Sequence, residues 1–258
     1  MAGSTILESP ARLAEMMKLI GGADSVELKL TIPDHRQRSA AAALDLDPLQ
    51  AEIRQVVFFD TPALDLNGAG LVVRARRMQN GSGDTVIKLR PVVPDDIDVR
   101  MRESGAVNVE VDAMPGGFVC SASMKGTTSA KAVRRVVRGH EKLGSLFSKS
   151  QKKFFNLYAP EGLKMSELSI LGPINIFKLK FAPPELGRKM VAEMWLFPDG
   201  TRTVEFSTKA GPGEAFQVGA ETRAFLAEKG IDLDGEQATK TKTALEFFAA
   251  GLAEAGAG

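Results

Sequence analysis

Thirteen charged side chains of this 258-residue chain occupy alternate positions in short segments whose other positions are largely apolar. Eight are cations (Lys29, Arg74, Arg76, Lys88, Arg90, Lys178, Lys180 and Lys209) and five are anions (Glu27, Glu110, Asp112, Glu193 and Glu205). A spacing of two puts residues on one face of a β-strand. One such face is ordinarily the solvated side of a half-buried sheet. Repetition on strand after strand means more, because strands closed into a barrel would turn these faces onto a shared interior. Each desolvated charge costs several kcal/mol unless paired, so such an interior must be wet and able to bind a ligand. The matching ligand is a polyanion. Arg and Lys take phosphate oxygens directly, and a divalent cation links the interleaved carboxylates to the rest. Polyphosphate esters and inorganic polyphosphates fit this chemistry.

The alternation predicts eight strands: Asp24–Ile32, Ile53–Phe59, Leu71–Arg77, Thr85–Arg90, Val107–Asp112, Ile174–Lys180, Met190–Phe197 and Thr201–Lys209. Asn80-Gly-Ser-Gly83 and Pro198-Asp-Gly200 supply turns. Ser9-Pro10 followed by Leu13, Met16, Met17 and Ile20 reads as a packing helix, and the alanine-rich stretch between Pro33 and Leu49 as a short one. The segment 114–171 reads as an inserted helical cap, with nine Lys or Arg against one Glu between Met114 and Phe155. Its basic run Lys131–Arg138 has few aromatics beside it for base stacking. It reads as a solvated helix face, and nucleic acid is not favoured as a partner. Two helices, Glu214–Lys229 and about 235–250, close the chain within 212–251, the second opening on Thr239-Lys-Thr-Lys-Thr243. Cys120, Trp195 and Met16 or Met17 read as packing residues, and neither His35 nor His140 is given a role.

The length allows one elaborated domain or two small ones, and the chain reads as a single domain over 1–258. A net charge of +1 names no partner. A single cysteine excludes an internal disulfide framework and points to a reducing, cytoplasmic setting. No window has the length and apolarity of a membrane span, and Met1–Ile20 reads as neither signal nor anchor. G-x-S-x-G, G-x-x-x-x-G-K-[ST] and H-E-x-x-H are all missing, so chemistry must rest on carboxylates, Lys and Arg. Oligomeric state is left open.

Several of these features together resemble the CYTH superfamily, the triphosphate tunnel metalloenzymes, which include class IV adenylate cyclases and relatives of thiamine triphosphatase. They are Glu27 with Lys29, Phe59-Asp60-Thr61-Pro62, Gly70-Leu-x-x-Arg-x-Arg76, Lys88, and Thr203-Val-Glu-Phe-Ser-Thr-Lys209. The resemblance implies an α+β protein: a closed eight-stranded antiparallel β-barrel, or tunnel, with flanking helices and the helical insertion between strands five and six. It implies Mg²⁺ or Mn²⁺ held by Glu27, Glu205 and Glu110. Glu27, Lys29, Glu110 and Asp112 would be the catalytic groups. Arg74, Arg76, Lys88, Arg90, Lys178, Lys180 and Lys209 would bind phosphate, with Lys240 or Lys242 reaching in from the C-terminal run. The family's first-strand pattern Glu-x-Glu-x-Lys begins here with Ser25, and its last-strand acidic pair is Glu205 with Ser207. The expected activity is divalent-metal-dependent hydrolysis of tripolyphosphate or of nucleoside or organic triphosphates. The rivals are a class IV adenylate cyclase and, in view of Ser25 and Ser207, a non-catalytic polyphosphate- or nucleotide-binding module. The expected partner is a triphosphate-containing small molecule or inorganic polyphosphate, and no membrane.

Overall fold

The computed structural model describes residues 10–231 and 240–256. Its strands are β1 (Ser25–Ile32), β2 (Glu52–Asp60), β3 (Leu71–Met78), β4 (Ser82–Leu89), β5 (Val107–Met114), β6 (Gly117–Ser129), β7 (Ser169–Phe181), β8 (Met190–Leu196) and β9 (Arg202–Ala210). The longer helices are α1 (Pro10–Gly21), α2 (Gln37–Ala43), α3 (Ala130–Val137), α4 (Lys149–Tyr158), α5 (Ala215–Glu228) and α6 (Lys240–Gly256). The strands form one closed barrel in the order β1-β5-β6-β4-β3-β2-β7-β8-β9.

Several expectations are corrected here. The barrel has nine strands, and the segment 114–171 begins as a strand, with only its later part helical. β6 turns back from β5 through Pro115-Gly116, a Pro-Gly turn that was legible, but its run Cys120-Ser-Ala-Ser123 lacks the β-branched and aromatic residues that mark strands. The ninth strand also breaks the antiparallel pattern. Directions cannot alternate around a ring with an odd number of members, and the required parallel pair is β1 with β5. The final helix runs from Lys240 to Gly256 rather than over 235–250, and Thr239 lies outside the described residues. In α1 the buried residues are Leu19 and Ile20, and of Met16 and Met17 it is Met16 that packs against the core, while Met17 is 57% exposed.

Most of the apolar core lies outside the barrel, between its outer face and the helices. Val73, Ala75, Ile87, Ala122 and Met124 on the strands pack with Val133 and Val136 of α3 and Phe154 and Phe155 of α4. Gln151, 1% exposed, pins α4 to the sheet by donating to the carbonyls of Thr85 (3.3 Å) and Met124 (3.2 Å). On the other side Leu30, Ile32 and Phe206 pack with Phe225 and Leu226 of α5. With hydrophobic burial placed there, the interior is left for polar groups. Among the described residues, no helix is long and apolar enough to cross a membrane.

Gly70, which opens β3, has φ +75°, and a Cβ there would lie 2.8 Å from the Arg90 carbonyl oxygen. Gly81, at the β3–β4 turn, has φ +86° with open space around it. Gly70→Ala should therefore cost strain plus collision, more than about 1 kcal/mol and several degrees of unfolding temperature, and Gly81→Ala distinctly less. Thermal melts of the two variants check this, and equal shifts would contradict it.

Candidate active site

Directly paired residues of neighbouring strands point to the same side of a sheet, so the register identifies the interior face. Glu27 lies opposite Asp112 on β5 and Lys209 on β9, and Lys29 opposite Ser207. Glu205 faces Glu193, which faces Lys178. On the far side Lys178 is level with Glu52, Val56 with Arg76, Arg76 with Asp84, and Lys88 with Ser123. All thirteen alternating charges therefore share one face, which also carries Glu52, Arg54 and Asp84.

The two ends of the interior differ. At one, α6 lays Ala244 and Leu245 against the inward-facing Val56, Phe58, Ile174, Ile176 and Trp195. At the other, where β6, β7 and β9 finish, the inward-facing Lys125, Thr127, Lys180 and Lys209 are exposed to solvent. The interior is thus plugged at one end and open at the other.

Glu27, Glu110 and Asp112 bring carboxylate oxygens within 4.8 Å of one another. Asp112 is fully buried. Lys29 Nζ lies 2.9 Å from its Oδ1, with Arg90 Nη1 at 3.2 Å and Lys88 Nζ at 3.6 Å from its Oδ2. Both Asp112 oxygens are thus held by cations, with Lys29 within hydrogen-bonding distance of Oδ1. Burial pushes the Asp112 carboxyl up, but the three cations outweigh it and hold it down at about 2. Glu110 accepts a hydrogen bond from Ser25 Oγ (3.3 Å) and an ion pair from Lys209. Burial opposes its ionisation too, and Lys209 and Lys88 win. Lys29 also reaches Glu27 at 3.2 Å. Burial would lower the Lys29 ammonium, yet Asp112, Glu27 and Glu205 raise it.

Among the cations, some are satisfied and some are not. Arg76 makes a two-pronged bond to Asp84 (2.8 and 2.6 Å), and Lys178 bonds Glu193 at 2.7 Å. Lys240, from the first turn of α6, lies 2.9 Å from Glu193 and 2.7 Å from Glu205, with Nζ 5.3 Å from the Trp195 ring centroid. By contrast Arg74 Nε and Arg90 Nη2 are buried with no hydrogen-bond partner. Burial, together with Arg76, brings the Arg74 guanidinium down to about 10. Burial, with Lys29 and Arg90 beside it, brings Lys88 down to about 8 against the pull of Asp112. Holding ionised donors without acceptors is costly, and anionic oxygens in the lumen would satisfy them.

The expected site residues thus fall into groups. Glu27, Lys29, Glu110, Asp112, Lys88, Arg90 and Lys209 surround one centre. Glu205 stands apart from that centre, bound to Lys240 and adjacent to Glu193. Lys180 is at the open mouth. Lys242 is on the outside of α6, with Glu246 3.8 Å away. Asp84 was missed because the expected strand began one residue later, yet it shares parity with Lys88 and Arg90. Glu52 was missed because the expected β2 started at Ile53, and that left Arg54, paired with it at 2.7 Å, as the lone charge on its face of the expected strand.

No protein-family model matches the chain, and no curated protein matches it in sequence. Solved structures do match its shape. A Hippeastrum protein, HpAC1, described as an adenylyl cyclase candidate with a dominant triphosphatase activity, superposes with a TM-score of 0.63 at 20% identity, over 87% of this chain and 95% of that one. A Bacillus halodurans protein described as an adenylate cyclase candidate superposes with a TM-score of 0.58 at 10% identity, over 85% and 97%. The likeness shows that this chain shares its barrel fold with those two proteins, over nearly the whole length of each.

Proposed function

We propose that the chain is a divalent-metal-dependent phosphohydrolase that takes triphosphate-containing substrates into the barrel. The observation that carries this reading is the carboxylate centre of Glu27, Glu110 and Asp112, set in the same interior as buried Arg74 and Arg90 donors that lack acceptors. Hard carboxylate oxygens suit Mg²⁺ or Mn²⁺, and Glu27, Glu110 and Asp112 bring theirs close enough together to share one ion. Glu205 is better assigned to anchoring Lys240 than to holding the metal. A bound divalent cation would neutralise charge on the phosphate oxygens and lower the pKa of an attacking water.

The protein's own part is positioning and electrostatics, on which phosphoryl transfer chiefly depends. Arg74, Arg90 and Lys88 donate to the phosphate oxygens. Arg76, already bound to Asp84, lends charge from a fixed position. Asp112 keeps Lys29, Lys88 and Arg90 together despite their mutual repulsion. The plug formed by α6 leaves one open end, so a triphosphate enters from the Lys180 and Lys209 side, and the group attached to it remains toward that mouth.

The activity described for the Hippeastrum protein supports hydrolysis, and the cyclase descriptions of both neighbours keep cyclisation as the rival. Incubating the protein with tripolyphosphate or ATP and Mn²⁺ separates the readings. We expect phosphate release that chelator abolishes. Cyclic nucleotide as the main product would replace the proposal with a cyclase, and binding without turnover would replace it with a binding module.

A further inference from the structure

Charge is unevenly divided along the chain. Between Met114 and Phe155 lie nine of its 33 Lys and Arg but one of its 32 Asp and Glu, so this stretch carries +8 and the remainder −7. Lys131, Arg134 and Arg138 of the α3 segment and Lys149, Lys152 and Lys153 of α4 are exposed. None of the six makes an ion pair with a described residue, and Glu141, the one acid of the stretch, is held by Arg135 at 2.6 Å. The apolar sides of both helices are buried against the barrel through Val133, Val136, Phe154 and Phe155. Position matters as much as charge. α3 starts at Ala130, the residue after β6, whose last turn of strand carries Lys125 at the open mouth. The basic exterior therefore begins where the cationic interior ends.

We propose that this exterior is a docking surface for long-chain inorganic polyphosphate, whose end enters the barrel. Entry rests on the function proposed above, while docking does not. The surface offers dense positive charge and no exposed Phe, Tyr or Trp, with His140 its one exposed aromatic ring, which favours a polyanion without bases over single-stranded nucleic acid. It also exposes few large apolar residues to enter a bilayer. Tripolyphosphate is too short to occupy the tunnel and this face together, and a chain of tens of phosphates is not.

Two variants test the proposal separately: Lys131→Gln/Arg134→Gln/Arg138→Gln, and Lys149→Gln/Lys152→Gln/Lys153→Gln. Binding of long-chain polyphosphate and of tripolyphosphate is measured in chelator, and tripolyphosphate hydrolysis with Mn²⁺. Each variant should bind the long chain at least about tenfold more weakly and with a shallower salt dependence. Tripolyphosphate binding and hydrolysis should stay within about twofold of wild type. Long-chain binding unchanged in both variants would overturn the proposal. So would duplex DNA displacing the long chain as effectively, per phosphate, as polyphosphate itself, which would make the face a nucleic-acid surface. Because binding is read in chelator, a wild type that binds the long chain but hydrolyses nothing would count against the proposed function and in favour of the docking surface.

Discussion

Replacing Asp112 by Asn is expected to lower tripolyphosphate hydrolysis about a hundredfold or more, while tripolyphosphate binding in chelator is kept or strengthened. The two effects have one cause. Asp112 is the buried carboxylate that Lys29, Lys88 and Arg90 converge on, and it is one of three groups able to hold an ion. Removing its charge weakens the metal centre and leaves the lumen more positive, which favours a bare polyanion. It also strips three cations of their common counter-charge. Loss of one partner from a buried ion cluster costs about 3–5 kcal/mol, so the unfolding temperature should drop by roughly ten degrees. The measurements are phosphate release, titration calorimetry in chelator, and a thermal melt. If binding in chelator fell in step with turnover in a variant that still melts cooperatively, Asp112 would be a structural residue and the metal assignment would fail.

Arg74→Met should behave in the opposite sense on stability. Arg74 is buried, its Nε has no partner, and burial together with Arg76 already lowers its pKa to about 10. An apolar side chain of similar length relieves that cost, so the fold should gain about 1 kcal/mol. Charge-assisted hydrogen bonds to the substrate are lost at the same time, and removal of a buried charged partner costs 2–5 kcal/mol, or roughly thirtyfold to a thousandfold or more in affinity. A variant that melts higher yet binds tripolyphosphate far more weakly is the pattern of a residue kept for its ligand. The same substitution at Arg76 should destabilise, since it strands Asp84. A lower melting temperature for Arg74→Met with unaltered binding would contradict the assignment.

Much of the site was legible because strand alternation is a strict parity rule. Glu27, Lys29, Arg74, Arg76, Lys88, Glu110 and Asp112 were placed on one face by counting, and the register puts them there. β6 was missed because Ser, Ala and Cys pack well in a barrel wall without announcing a strand. Missing it also hid the parallel β1–β5 pair, which depends only on how many strands close the ring. Parity could not choose between Lys240 and Lys242, since both come from a helix. Contact decides it: Lys240 is 9% exposed between Glu193 and Glu205, whereas Lys242 faces solvent. Nor could alternation tell which carboxylates meet. Glu205 has the right parity for the metal centre, but the strand stagger carries it to Lys240.

The central claim is that Glu27, Glu110 and Asp112 hold the divalent cation facing a phosphate chain. A crystal structure with tripolyphosphate and Mn²⁺, read at the manganese absorption edge, tests it most directly. The account predicts an anomalous peak bonded to these three carboxylates, phosphate density on Arg74, Arg90 and Lys88, and Lys209 moved off Glu110. A manganese peak at Glu193 and Glu205 instead, or ordered tripolyphosphate in the barrel with no manganese at the three carboxylates, would contradict it.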